Sequence, residues 1–225
     1  MTTYPHRPRV KICGITNAAD LSVALAAGAD AVGVIADVPV DSPREVSVGR
    51  AAALLDTVPP FATSVLVTMA ADAEAVLDLV DRVAPDVVQL HGGLPPDELA
   101  IVTKHVRVIA AHSTNDSERI VDAAPLVDAI LLDALDAEGG GGTGRTADWE
   151  RARTYVEELA VPIVLAGGLD QDNVAAAIDA VGPYAVDVAT GVARADDATR
   201  KDADAVRAFV RAAQRDEEVQ STWSP

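Results

Sequence analysis

Eight short apolar runs, each followed by a stretch with the pattern of an amphipathic helix, constrain the fold of this chain more than any other feature. Each run is about five to seven residues long and rich in β-branched residues. Such unbroken apolar character is typical of parallel strands that are buried on both faces. Strands that alternate with helices form βαβ units around a parallel sheet. The runs are Arg9–Cys13, Ala29–Ile35, Thr63–Met69, Asp86–His91, Val106–Ala111, Asp128–Asp133, Val161–Ala166 and Tyr184–Ala189.

Eight helical segments complete eight βα units in 225 residues, which is what a closed (β/α)8 TIM barrel requires. An open, doubly wound sheet has the same alternation and remains the alternative. We expect one barrel domain over residues 1–225, with the barrel itself at about 9–212 and a flexible tail at 216–225. The predicted helices are Ala18–Ala27, which Asn17 or Thr16 can cap, Val48–Thr57, Ala71–Val83, Pro95–Lys104, Asp116–Ala124, Ala147–Leu159, Gln171–Val181 and Asp202–Gln214.

Composition is typical of a soluble protein that binds neither nucleic acid nor membranes. The formal net charge of −17 should repel nucleic acid and anionic membranes. No run of 18 apolar residues predicts a transmembrane helix, and the first residues lack the apolar stretch of a signal peptide, so we expect a cytoplasmic protein. The single cysteine, Cys13, excludes an internal disulfide and a multi-cysteine metal site.

Two glycine features near the end of the chain favour a phosphate site. Gly167 and Gly168 follow the seventh run in VLAGGLDQDN, and Thr190 and Gly191 follow the eighth in VDVATGV. Backbone N–H groups at such turns attract anions, and barrels commonly bind phosphate after strands seven and eight. Each feature alone is equally typical of a tight turn, but their joint position predicts phosphate binding.

Polar residues on the predicted strands allow more than one interpretation. Lys11 shares a face with Cys13 and is either an imine-forming lysine or a buried structural one, for which Asp187 on the neighbouring eighth strand is the natural partner. Gln89 and His91 share a face of the fourth strand, and His91 either contacts a substrate or is structural. The glycine-rich GGGGTGR at 139–145 is not a P-loop and is either a lid or a linker.

Several motifs occur in the order typical of one family, and over about residues 9–212 the chain resembles the phosphoribosylanthranilate isomerases of tryptophan biosynthesis. The most specific is VKICGIT at Val10–Thr16. The others are GADAVGV at Gly28–Val34, SPREVS at Ser42–Ser47, VQLHG at Val88–Gly92, LLD at Leu131–Asp133, GGTG at Gly141–Gly144, Asp148-Trp149, LAGGL at Leu165–Leu169, Asn173-Val174 and Lys201-Asp202.

The resemblance implies an Amadori rearrangement of N-(5-phosphoribosyl)anthranilate to 1-(2-carboxyphenylamino)-1-deoxyribulose 5-phosphate, with no metal or organic cofactor. It implies that Cys13 is the general base and Asp133 the general acid, and that Arg44 holds the anthranilate carboxylate. We place Gln89, His91, Gly141 and Gly142 among the substrate-binding residues, and expect a monomer or a homodimer. Cys13 and Asp133 end strands one and six, so both could face the barrel mouth.

The chain also departs from the family pattern. Ile35-Ala36-Asp37 stands where phenylalanines are usual, Thr68-Met69 where an asparagine is usual, and Ala189–Ala193 where Ser-Ser-Gly-Val-Glu is usual. These departures concern ring packing and phosphate contacts. The alternatives are a bifunctional isomerase of histidine and tryptophan synthesis, whose first strand carries Asp in place of Cys13, a lysine-dependent aldolase, and a non-catalytic phosphate-ligand binder.

The acidic charge predicts a dependence of stability on salt. Aspartate far outnumbers glutamate, and the apolar content of 49% indicates a solvated acidic surface on an ordinary core, so we hypothesise a salt-loving source organism. Because the Debye length falls to about 3 Å in 1 M salt, self-repulsion is screened there. We expect the melting temperature to rise between low and molar KCl. A melting temperature that stays constant or falls contradicts the hypothesis.

Overall fold

All eight predicted βα units are present in the computed structural model, which describes residues 7–133 and 149–214. The strands are β1 (Arg9–Ile12), β2 (Ala31–Ile35), β3 (Thr63–Thr68), β4 (Val87–His91), β5 (Arg107–Ser113), β6 (Ala129–Asp133), β7 (Ile163–Leu165) and β8 (Ala185–Val188). The helices are α1 (Ala18–Ala26), α2 (Val48–Leu55), α3 (Ala73–Val83), α4 (Pro96–Val102), α5 (Ser117–Ala123), α6 (Trp149–Glu158), α7 (Val174–Val181) and α8 (Ala203–Ala213).

The strands pair in parallel in sequence order, and β8 pairs with β1, so that the sheet is a closed barrel. This confirms the predicted barrel and excludes the open sheet. Because all eight strands are parallel, their C-terminal ends lie at one mouth, where the chemistry of such barrels occurs. No helix in the described part of the chain is long and apolar enough to cross a membrane.

Successive side chains of each strand point alternately outward to the helices and inward to the barrel, and so contribute to two apolar regions. The larger lies between the strands and the surrounding helices and includes Val10, Ile12, Leu66 and Phe209. The inward faces of the strands fill the barrel with small and branched side chains, which form two smaller clusters. Full burial of one such aliphatic side chain contributes about 1.5–3 kcal/mol. The clusters contain Cys13, Val65, Val67 and Val87, and Ala111, Ala129, Leu131, Val164, Ala166 and Ala185.

An ion pair lies inside the barrel at the seam where β8 meets β1. Lys11 and Asp187 are opposite each other in the register, and the Lys11 Nζ donates to the Asp187 Oδ1 over 3.0 Å. Both side chains are buried. The structure thus confirms the structural interpretation of Lys11. Removing one member of such a pair leaves an uncompensated buried charge, at a cost of about 3–5 kcal/mol.

Side chains that bond to the backbone decide where several elements begin. Asn17, and not Thr16, caps α1, since its Oδ1 accepts from the Asp20 N–H over 2.9 Å. Helix α7 begins later than predicted, because the Asp170 and Asn173 side chains bond to backbone N–H groups of the preceding turn and hold it out of the helix. Strand β5 ends at Ser113, two residues beyond the predicted Ala111. Residues 134–148, with Gly141 and Gly142, and the predicted tail lie outside the described residues.

Candidate active site

Cys13 lies directly after β1 and is held by the neighbouring strands. Its N–H donates to the Val188 carbonyl over 2.8 Å, and the residue is only 5% exposed. On the other side, β2 contributes Gly33. A Cβ at Gly33 would stand 2.9 Å from the Cys13 Sγ and 3.2 Å from the Lys11 Nζ. The missing side chain at Gly33 is therefore what leaves room for the sulfur and the ammonium on the same face.

The surroundings of the Cys13 sulfur are charged. Burial raises the pKa of Cys13 and the Asp187 carboxylate adds to the rise, while the ammonium groups of Lys11 and Lys201 oppose it. Burial also opposes a charge on Lys11, but Asp187 and Cys13 together outweigh it and the pKa of Lys11 is raised. Lys11 therefore stays protonated beside the thiol, and a positive environment of this kind favours the reactive thiolate.

Lys201 is a residue whose place beside the thiol the sequence did not predict. Its side chain is buried, and the Nζ donates to the Ala189 carbonyl over 2.9 Å. Its backbone pairs with Ala193 in an isolated antiparallel bridge, and its N–H donates to the Asp20 carboxylate over 2.9 Å. The Lys201-Asp202 motif and the rarity of lysine in the chain were signals that could have identified it.

Asp133 and His91 meet on another part of the mouth. Asp133 ends β6 and His91 ends β4, and the His91 Nε2 is 4.0 Å from the Asp133 Oδ2. Both side chains are about one-quarter exposed, at 24% and 27%. Burial lowers the pKa of His91, against the attraction of the Asp133 carboxylate, so the imidazole favours its neutral form. Neutral imidazole can donate or accept a hydrogen bond at this position.

Gln89 lies deeper in the barrel, on the same face of β4 as His91. It is 2% exposed, and its Oε1 has no hydrogen-bond partner among the residues that the structure describes. An acceptor that is buried without a partner costs about 1–3 kcal/mol, so such groups indicate a place where a donor from outside the protein can bind. Gln89 and His91 thus present polar atoms to the same region of the barrel.

Arg44, in the loop after β2, spans two other loops of the mouth. A Cβ at Gly14 would stand 2.7 Å from the Arg44 Cδ, so the arginine packs directly on the backbone that follows Cys13. Gly14 also has a φ of +71°, which favours glycine. The Arg44 Nη2 donates to the Thr190 Oγ1 over 2.9 Å, while its buried Nε lacks a partner within the described ranges.

The two predicted phosphate loops are in contact with each other. Gly167 and Gly168 both have positive φ, and the Asn173 Nδ2 donates to the Gly168 carbonyl over 2.8 Å. Thr190 and Gly191 form a 3-10 turn after β8. A Cβ at Gly191 would overlap the Leu169 carbonyl, so only glycine allows this approach. All four residues therefore lie at adjoining turns beyond β7 and β8.

Fold and site together define a class: a (β/α)8-barrel enzyme with a thiol, a carboxyl and a basic cluster at the C-terminal mouth. Across residues 7–133 and 149–214, no group of three or more His, Cys, Asp or Glu side chains is arranged to hold a metal ion.

Comparison with known proteins identifies the family. The family model of N-(5'phosphoribosyl)anthranilate (PRA) isomerase matches residues 10–212. The isomerase of that name from Haloarcula marismortui is 51% identical over 208 residues, which cover 92% of this chain and 96% of the relative. The chain belongs to the N-(5'-phosphoribosyl)anthranilate isomerase family and is an isomerase of tryptophan biosynthesis.

Crystal structures agree with this assignment. Phosphoribosyl anthranilate isomerase from Thermotoga maritima superposes with a TM-score of 0.81 at 37% identity, covering 92% of this chain and 98% of that one. A structure in complex with reduced 1-(o-carboxyphenylamino)-1-deoxyribulose 5-phosphate gives a TM-score of 0.78 at 35% identity, with the same coverage. A third, of monomers generated from the dimeric Thermotoga enzyme, gives 0.79 at 33% identity and again the same coverage.

We expect Gly33→Ala to lower kcat by about 10²-fold, because it would displace Cys13, the predicted base, and a shift of about 1 Å has an effect of that size. The new methyl group would stand 2.9 Å from the Cys13 Sγ and 3.1 Å from the Lys11 Cε, so one of them must move. The measurement is the turnover of phosphoribosylanthranilate, followed by loss of its fluorescence. Gly49→Ala is the matched control, because nothing lies within 4 Å of a Cβ there. Wild-type kcat in a folded Gly33→Ala variant contradicts the prediction.

Proposed function

We propose that the chain performs its Amadori rearrangement with Cys13 as general base and Asp133 as general acid. The observation that carries the proposal is that the thiol and the carboxyl follow two strands of one parallel barrel, so that both belong to the same mouth. Membership of the isomerase family supports it, as does a related structure that holds a reduced form of 1-(o-carboxyphenylamino)-1-deoxyribulose 5-phosphate.

The acid acts first on the ribose ring. Asp133, in its protonated form, donates its proton to the furanose oxygen, and the C1′–O bond breaks as the anthranilate nitrogen forms an iminium ion. His91, 4.0 Å away, is able to orient the carboxyl group. Because burial favours the neutral form of His91, it adds no full positive charge that would hold Asp133 as a carboxylate.

The base acts second, on the carbon next to the iminium. The Cys13 thiolate removes the C2′ proton, and the electron pair of that C–H bond neutralises the iminium ion to give an enolamine. The enolamine then tautomerises to the ketone. One proton is given to the ring oxygen and one is taken from C2′, so substrate and product have the same composition and no redox partner is needed.

The two ends of the substrate fit the remaining groups. Arg44 offers a guanidinium to the anthranilate carboxylate, and its buried Nε supplies a donor that is free for that purpose among the described residues. Gln89 offers its Oε1 to a sugar hydroxyl. We also assign substrate contacts to Gly141 and Gly142, as their motif suggests.

We assign the phosphate to the adjoining turns after β7 and β8. The positive φ of Gly167 and Gly168 turns backbone groups toward a ligand, and the turn at Thr190 and Gly191 packs against the loop that follows them. Metal ions and organic cofactors have no part in this scheme.

A homodimer is the assembly that we propose, and the dimeric Thermotoga relative supports it. Light scattering on the purified chain distinguishes it from a monomer.

We further propose a cytoplasmic location, consistent with a biosynthetic role.

The aldolase alternative is disfavoured by Lys11 itself. Imine formation needs a neutral amine, whereas Asp187 raises the pKa of Lys11 above its usual value despite its burial. The bifunctional alternative is disfavoured by Cys13, which stands where that enzyme uses an aspartate.

Cys13→Ala and Asp133→Asn should each lower kcat by about 10²–10⁴-fold, the range for loss of one general acid or base. Turnover of phosphoribosylanthranilate is again followed by its fluorescence, and melting curves check that the variants fold. Asp97→Asn, at an exposed position of α4, is the matched control and should keep full activity. Full turnover by folded Cys13→Ala removes the thiol as the base.

Arg44→Met should raise KM by about 10–100-fold with a smaller effect on kcat, since a hydrogen bond to a charged group contributes about 1.5–3 kcal/mol. Steady-state kinetics give the two constants separately. Arg82→Met, which removes an exposed guanidinium on α3, is the control. An unchanged KM in Arg44→Met means that the carboxylate binds elsewhere.

A further inference from the structure

The buried charges around Cys13 do not cancel while the thiol keeps its proton. Lys11 and Asp187 neutralise each other across 3.0 Å. Lys201 is just as deeply buried, with 5% exposure, but its Nζ donates to the Ala189 carbonyl, which carries no formal charge. A buried ammonium facing only a carbonyl is costly unless an anion lies near it.

Among the described residues, the two carboxylates that attract Lys201 already have cationic partners, since Asp187 pairs with Lys11 and Asp20 with Arg200. Arg44, from the loop after β2, adds a second positive charge whose repulsion acts on Lys201. Asp20 on α1 is bound by the Arg200 guanidinium, with the Nε at 3.1 Å. His91, across the mouth, favours its neutral form.

Cys13 is close to Lys201, because the Cys13 N–H and the Lys201 Nζ donate to the successive carbonyls of Val188 and Ala189, and Ala189 packs against the cluster that contains Cys13. Within the described part of the chain, its sulfur is the nearby group that can still become negative.

We propose that Lys201 is a positioning residue whose buried ammonium stabilises the thiolate form of Cys13. The inference rests on the proposed role of Cys13 as the base and goes beyond it, because it names the source of the charge that activates the thiol. Once the thiolate forms, the four buried groups, two lysines, one aspartate and one cysteine, sum to zero charge.

The titration properties of Lys201 are consistent with this pairing. Burial lowers the pKa of Lys201 to about 8, and the attraction of Cys13 is the largest influence that opposes the shift. Attraction is mutual, and the Lys201 charge correspondingly lowers the pKa of the thiol against the effect of burial. Each charge therefore stabilises the other, which suits a group that gains and loses a proton in each turnover.

A purely structural role makes a different prediction. Lys201 also ties the turn after β8 to the segment before α8, through its bond to Ala189 and its bridge to Ala193. If that were its whole role, replacing it would lower the melting temperature and leave the titration of the thiol unchanged. The pKa of Cys13 is thus the quantity that separates the two roles.

The experiment measures that pKa directly, because Cys13 is the single cysteine and the chain has three lysines. The ultraviolet absorbance of the thiolate is recorded against pH for the full chain, with the Cys13→Ala variant subtracted. The rate of iodoacetamide alkylation, read by intact mass, gives a second value. Lys201→Met and Lys201→Gln are compared with Lys104→Met, which removes the exposed lysine at the end of α4.

We expect both Lys201 variants to raise the thiol pKa by about one unit or more, which is about tenfold less thiolate at neutral pH. Lys104→Met should titrate like the parent chain. An unchanged thiol pKa in a folded Lys201 variant overturns the inference, whatever happens to its melting temperature. Turnover is measured separately: a parent chain without isomerase activity refutes the proposed function, while the thiol titration still decides the role of Lys201.

Discussion

The buried ion pair between Lys11 and Asp187 is the interaction on which the rest of the site depends. It joins the first and last strands inside the barrel, where the sheet closes. Because the two charges cancel, the seam is polar but carries no net charge. The pair also brings the Lys11 ammonium onto the face of Cys13, and Gly33 is needed to leave space for both. The same ion pair therefore joins the two ends of the sheet and places a positive charge beside the thiol.

Two regions of the mouth differ in character, as an acid–base reaction requires. Around Cys13, burial and the Asp187 carboxylate raise the pKa of the thiol, and the ammonium groups of Lys11 and Lys201 oppose that rise. The Asp133 carboxyl lies 4.0 Å from the His91 imidazole, whose pKa is lowered by burial. The two proposed proton-transfer groups therefore differ both in the charges near them and in burial, since Cys13 is 5% exposed and the Asp133 side chain 27%.

The sequence predicted the elements that local periodicity determines, and it failed where tertiary contacts decide. The alternating apolar runs predicted all eight strands, and the position of Asp187 on the strand beside Lys11 predicted the ion pair between them. The late start of α7 was missed because it depends on two side chains that bond to the turn backbone. Lys201 belongs to a motif of the sequence, but its position beside the thiol could not be predicted, because the loop that carries it is far from Cys13 along the chain.

The link between Arg44 and Thr190 has a consequence for selectivity. Arg44 packs on the Gly14 backbone and donates to the Thr190 hydroxyl of the turn after β8. The proposed carboxylate site and the proposed phosphate site are therefore held at a fixed distance from each other. The mouth therefore selects ligands by the distance between their two anionic groups. A substrate analogue with one extra methylene between its carboxylate and its phosphate would fit one of the two sites and be displaced from the other, even though each end fits its own site.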